Sequence, residues 1–141
     1  MQFDQLQLLA TAAFGLEGVV ADELRRLKMQ SVRAEMGGAY FIGSITDAFR
    51  ANLLLRCADR VLIVLCSGVA RTFEELFLLV KTIPWEEILP PDARINVSGK
   101  CARSQLMSVR DCQSITKKAI IERLRTRTHR DVFPETGAAY P

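Results

Sequence analysis

Two periods of apolar residues, one near two and one near 3.6, alternate along the first half of the chain and mark out its elements. Gln7 to Phe14 is short, apolar and followed by Gly15, which predicts a buried strand. From Leu16 to Lys28, residues Leu16, Val19, Val20, Leu24 and Leu27 share one helical face, and Asp22, Glu23, Arg25 and Arg26 turn mainly to water. Ser31 to Glu35 and Ala39 to Ile42 are extended runs around Gly37-Gly38, a hairpin signal. Ser44 or Thr46 can cap a second helix running to about Leu55, because a side-chain oxygen there accepts from an orphaned backbone N–H. Val61 to Ser67, VLIVLCS, is continuous and β-branched, and is expected as a central, covered strand.

The order β-α-β-β-α-β defines a ferredoxin-like unit, with two helices on one face of a four-stranded antiparallel sheet. No carboxylate pair, Ser/His/Asp set or Gly-rich strand-to-helix loop falls within it. Phe14 to Gly18, FGLEG, lacks both G-x-G-x-x-G spacing and a P-loop Lys, so it reads as a glycine-assisted turn. This half is expected to be a scaffold.

After a short linker, Gly68 to Arg71, Thr72-Phe73-Glu74-Glu75 has the form of a capping box. Phe73, Leu76, Phe77 and Val80 then repeat at helical spacing. Pro84 suits the first position of a second short helix carrying Trp85, Ile88 and Leu89, which Pro90-Pro91 ends. Trp85 could stack on a base, but with Ile88 one turn away it is expected in the core. Arg94 to Lys100 alternates like a half-buried strand, with Ile95 and Val97 on one side. A polar loop from Lys100 to Asp111 leads into a helix from about Cys112 to Arg125, with Asp111 as its expected cap. On that helix Ile120, Ile121 and Leu124 group together, opposite Lys118, Glu122 and Arg125; Ile115 fits neither group.

Charge changes this picture. The 141 residues carry a net charge of only +3, yet Arg94 to Arg130 holds ten of the nineteen Lys and Arg residues and just two acids, a local net of +8. Such clustering is either a solvated helix face or the electrostatic footprint of a polyanion partner. A cationic loop feeding a helix N-terminus suits phosphate, since Lys and Arg supply charge while Ser104 and free N–H groups supply donors. The basic run Arg125 to Asp131, RTRTHRD, either extends that surface or complements the helix dipole.

A hydrophobic fraction of 49% with 25% charged residues is that of a globular protein. The cysteines, Cys57, Cys66, Cys101 and Cys112, form no C-x-x-C pair, and a lone His129 completes no zinc site. Four reduced thiols are expected, with Cys57 and Cys66 in the core. No secretory signal precedes the apolar run, and no run approaches the roughly 20 residues needed to span a bilayer. The expected location is the cytoplasm, with no membrane partner.

Ala10 to Leu24 (ATAAFGLEGVVADEL), Val97 to Leu106 (VSGKCARSQL) and Ser114 to Ile120 (SITKKAI) resemble the N-terminal region of THUMP-domain RNA methyltransferases. The similarity is to the branch that methylates guanine N2 in large-subunit rRNA or tRNA, and it runs over essentially the whole chain. It implies an α+β protein with a ferredoxin-like subdomain over 1–67 and an α/β THUMP domain over 68–141, incomplete at its C-terminus. It also implies binding of structured RNA, rRNA or tRNA. Matching positions make Lys100, Arg103, Ser104, Lys117 and Lys118 candidate RNA contacts, and Arg110 joins them from the basic loop.

In that family a C-terminal domain transfers a methyl group from S-adenosylmethionine. This sequence stops at Pro141 without a Gly-rich donor loop or an N/D-P-P-Y/F motif. No catalytic, cofactor-binding or metal-ligating residue is therefore assigned, and no methyl transfer is expected from these residues by themselves. An unfinished THUMP sheet would expose an edge, inviting self-association, or leave a disordered tail after about Arg127. The competing reading is a protein-interaction or dimerisation module with an incidental basic face.

Overall fold

The computed structural model describes residues 5–90, 93–101 and 104–128, which fall into two compact units divided between Leu65 and Cys66. The first unit runs β1 (Leu6–Thr11), α1 (Glu17–Arg26), β2 (Gln30–Glu35), β3 (Gly38–Gly43), α2 (Ile45–Leu54) and β4 (Arg60–Ile63). Its four strands lie in the order β2-β3-β1-β4, all neighbours antiparallel. This is the ferredoxin-like topology that the alternation of periods predicts.

Leu6, Leu8 and Ala10 alternate inward along β1, and Ala39 and Phe41 do so on β3. Val20, Ala21 and Leu24 of α1 and Ala48 and Ala51 of α2 complete the same buried cluster. Ser44 is the cap of α2: its Oγ accepts from the Asp47 N–H at 3.2 Å, and Asp47 Oδ2 accepts from the Ser44 N–H at 3.0 Å. Gly38 is required by close approach, because an added Cβ would run into the carbonyl oxygen of Ala10 across the β1–β3 pair.

The expected central strand is a correction. β4 covers only Arg60–Ile63 and occupies the sheet edge, leaving Leu62 and Ile63 43% and 40% exposed. Here the last strand of the βαββαβ unit pairs beside β1, on the outside, so a β-branched run there need not be covered. Cys66 lies beyond the strand and is exposed, whereas Cys57 packs against the core as expected.

The second unit contains α3 (Phe73–Lys81), α4 (Trp85–Ile88) and α5 (Val109–Thr128), with α3 and α4 both packed on α5. Thr72 and Glu75 form the predicted capping box at α3. Pro84 is the cap of α4, one position earlier than expected, and the helix ends ahead of Pro90. Trp85 is core: it is 9% exposed, and its Nε1 donates to the Val80 carbonyl at 2.9 Å.

Residues 93–98 keep the predicted alternation of burial, Ala93 and Ile95 inward and Asn96 and Ser98 outward. Among the described residues, however, they join no sheet. Alternating burial needs only a packed neighbour on one side, whereas a strand also needs a second backbone at ladder distance.

Candidate nucleic-acid interface

Helix α5 carries three of the six candidate residues, Arg110, Lys117 and Lys118, and starts three positions earlier than its apolar pattern suggests. Ser108, not Asp111, is its cap: Ser108 Oγ accepts from the Asp111 N–H at 3.3 Å, and the Ser108 carbonyl accepts from the Cys112 N–H at 3.0 Å. Asp111 instead sits in the first turn, where a carboxylate complements the helix dipole. Ala119, Ile120 and Leu124 are the buried residues of α5. Ile121 is half-buried on another side, since each residue turns the helix by about 100°.

The candidate contacts fall into two groups. Lys100 and Ser104, both exposed, line an open cavity of about 370 Å³ with Ser98, Gly99, Cys101 and Cys112. Ser104 Oγ accepts from the Leu106 N–H at 3.1 Å, which shapes the loop around it. Lys117 and Lys118 line a separate groove of about 350 Å³ along α5 with Ser114, Ile121, Glu122 and Arg125. Arg110 is exposed in the first turn of the same helix. Arg103 lies outside the described residues, as does the segment after Thr128.

Positions 110, 114, 117, 118, 121 and 125 recur at helical spacing, so four cations, a hydroxyl and one aliphatic side chain form one stripe on α5. At 1.5 Å per residue the stripe from Arg110 to Arg125 is roughly 22 Å long. Neither Ser114 nor Arg125 is among the sequence-derived contacts. The spacing of the basic residues carried the signal for both.

Two other cations of the basic stretch, Arg123 and Arg127, meet a carboxylate of α4. Arg123 donates from Nη2 and Nε to the two carboxylate oxygens of Glu86 at 2.7 and 3.0 Å, and from Nη1 to the Lys81 carbonyl at 3.3 Å. Both side chains of that pair are only 22% exposed. The hydrogen bond from Arg123, backed by Glu86's own N–H and by the charges of Arg123 and Arg127, holds the Glu86 carboxyl at about 2. Arg127 approaches the same carboxylate at 3.6 Å. Lys81 pairs with Glu122 and, as first cause, draws that carboxyl below its usual range. These pairs fasten α3 and α4 to α5.

The arrangement offers fixed positive charge and hydroxyl donors. Among the described residues no group of three or more His, Cys, Asp or Glu side chains could hold a metal ion. No helix among them is long and apolar enough to cross a membrane.

Comparison with known proteins places this geometry. Residues 7–62 match the RlmL ferredoxin-like domain model and residues 70–133 match the THUMP domain model. The chain is thus an α+β protein of the ferredoxin-like-plus-THUMP class. It belongs with the N-terminal regions of the RNA methyltransferases that share this pair of domains.

"Putative RNA methyltransferase YpsC" of Bacillus subtilis (strain 168) is 43% identical over 135 residues, covering 94% of this chain and 35% of that protein. "Ribosomal RNA large subunit methyltransferase K/L" of Syntrophotalea carbinolica is 34% identical over 122 residues, covering 86% of this chain and 17% of that protein. A crystal structure of SMU.472, described as "a putative methyltransferase complexed with SAH", superposes with a TM-score of 0.82 at 39% identity. That match covers 95% of this chain and 35% of the other. The chain thus spans about a third of the first relative's length and less than a fifth of the second's.

Proposed function

We propose that this chain is the RNA-binding, substrate-recognition part of an S-adenosylmethionine-dependent guanine-N2 methyltransferase acting on structured rRNA or tRNA in the cytoplasm. The observation that carries the reading is the cationic stripe of α5 in a domain of the THUMP class. Fixed cations at helical spacing can follow a phosphate backbone, and such contacts set register and orientation without reading sequence. Lys100, Ser104, Arg110, Lys117 and Lys118 serve as contacts, with Arg125 added from the stripe and Arg103 retained from the resemblance. The ferredoxin-like unit is scaffold. Methyl transfer belongs to a separate catalytic domain of the kind its relatives are named for, which holds the methyl donor.

A second reading, a strand-pairing interaction module, draws support from β4, a sheet-edge strand with Leu62 and Ile63 exposed. The two readings part in one experiment, in which the chain is titrated with a structured rRNA fragment, a tRNA and a duplex DNA of equal length at several salt concentrations. RNA recognition gives tighter binding to the folded RNAs and a steep loss with salt. Equal, salt-insensitive binding to all three, together with concentration-dependent dimerisation, would replace it with the second reading.

A further inference from the structure

Two cysteines eleven positions apart in sequence meet at the mouth of the basic loop. Cys101 Sγ and Cys112 Sγ are 3.9 Å apart, both half-buried, in the open cavity lined by Lys100 and Ser104. Cys112 stands on the first turns of α5, and Cys101 ends the segment that joins no sheet among the described residues. Bringing the sulfurs to the roughly 2.05 Å of a disulfide asks for a shift of about 2 Å. Such a shift is within reach of side-chain rotation plus movement of an extended segment free of ladder bonds. Cys57 packs against the core of the other unit, and Cys66 is exposed beyond β4.

We propose that Cys101 and Cys112 form a reversible redox site that a hydroperoxide closes into a disulfide, locking the basic loop to the first turn of α5. One sulfur, as thiolate, attacks the distal peroxide oxygen. The O–O bond breaks, the alcohol or water leaves with a proton, and a sulfenic acid forms. The second sulfur attacks the sulfenic sulfur, the S–S bond forms, and the S–O bond breaks to release water. Two thiols and one hydroperoxide thus become a disulfide, an alcohol and water, and a dithiol reverses the change by exchange. Burial, then the neighbouring Cys101 sulfur and the charge of Asp111, push the Cys112 thiol up. A thiol so held suits the second, resolving step. Transient disulfides of this kind are the ones that occur in reducing compartments.

The closed ring spans residues 101 to 112 and so includes Ser104 and Arg110, with Lys100 at its neck. The effect on RNA affinity rests on the RNA-binding reading; the disulfide itself does not.

The test treats the 141-residue chain with hydrogen peroxide, blocks remaining thiols with iodoacetamide and maps the unreduced digest by mass spectrometry. The expected product is a linked peptide pair containing Cys101 and Cys112, abolished by dithiothreitol and absent from Cys112→Ser. In that variant Cys101 should instead be trapped by dimedone as its sulfenic acid. Recovery of both thiols alkylated while Cys66 alone is oxidised, or dimers linked through Cys66, would overturn the proposal. RNA affinity of the oxidised and reduced chain should differ by about fivefold or more, the lower end for coupled sites, and be equal in Cys112→Ser. A disulfide that leaves affinity unchanged would overturn the locking role. Loss of RNA binding in the reduced chain would instead sink the proposed function, and the peptide map would still decide the disulfide.

Discussion

Arg123 and Lys118 carry the same charge on the same helix, and the structure predicts opposite consequences for removing them. Lys118 is exposed in the groove that also holds Lys117 and Arg125. Arg123 is already committed to both oxygens of Glu86 and to the Lys81 carbonyl. Each phosphate neutralised releases condensed counterions, so each contact adds about 0.7 to 0.9 to the slope of log K against log salt. If Lys100, Arg110, Lys117, Lys118 and Arg125 each neutralise one phosphate, the slope is roughly 3.5 to 4.5 in magnitude. A fourfold rise in salt then weakens binding about 130- to 500-fold.

Lys118→Ala should flatten the slope by about one contact, roughly 0.7 to 0.9, without lowering the melting temperature. Arg123→Ala should leave the slope where it was and lower the melting temperature. Fluorescence anisotropy of a labelled RNA hairpin over a potassium chloride series, paired with thermal melts, reads both quantities. An Arg123→Ala slope as flat as that of Lys118→Ala, at unchanged stability, would refute the division into structural and RNA-facing cations.

Three further outcomes follow from particular contacts. Trp85→Phe should cost only about 1 kcal/mol, not the full penalty of a bare buried acceptor, because the Val80 carbonyl also takes the Ile83 N–H at 3.3 Å; Trp85→Ala should cost about 3–5 kcal/mol. Urea titrations followed by circular dichroism read both, and a change in RNA affinity of the folded Trp85→Phe chain would contradict the core assignment. The Glu86 carboxyl is held at about 2 by Arg123, so its stabilisation is fully present above its unfolded value of about 4.3 and is lost as pH falls through about 2. The difference in melting temperature between the parent and Glu86→Gln should therefore be flat at neutral pH and narrow only below about pH 4.3; narrowing already near neutrality would contradict the pair. Gly38→Ala should destabilise the first unit by more than about 4 kcal/mol, since the new methyl meets the Ala10 carbonyl; a near-normal thermal melt would show that the β1–β3 pair can part there.

What was legible in the sequence was local chemistry. The capping box at Thr72 needs only two side chains three positions apart and forms as expected; of the two candidate caps Ser44 and Thr46, Ser44 is the one used, also in a box, with Asp47. The Ser108 cap is not legible from the apolar pattern, because the helix starts at Val109, before the apolar residues that mark it. The failures concern partners distant along the chain. Whether Val61 to Ser67 is central or at an edge depends on which strands stand beside it, and its own composition carries no such information. The pairing of Arg123 with Glu86 spans 37 positions, so a count of charges cannot reveal it. The meeting of Cys101 with Cys112 likewise depends on the path of the loop between them, and their spacing matches no known pair motif.

The basic stretch also shows why its net charge overstates the surface offered to a polyanion. With about 100° per residue, Arg123 and Arg127 fall beside Ile120 and Leu124, on the side of α5 that meets α3 and α4. There Glu86 from α4 pairs closely with Arg123 and is approached by Arg127. Lys117, Lys118 and Arg125 fall on the adjoining arc with Ser114 and Ile121, and Arg110 falls on it by helical spacing. One helix thereby uses Arg123 in its own packing, while the cations of the other arc share a single direction. Position on the helical wheel, more than the number of cations, decides which can reach a phosphate. Moving one cation from the presented arc to the packed one should remove a contact while leaving the chain's net charge unchanged.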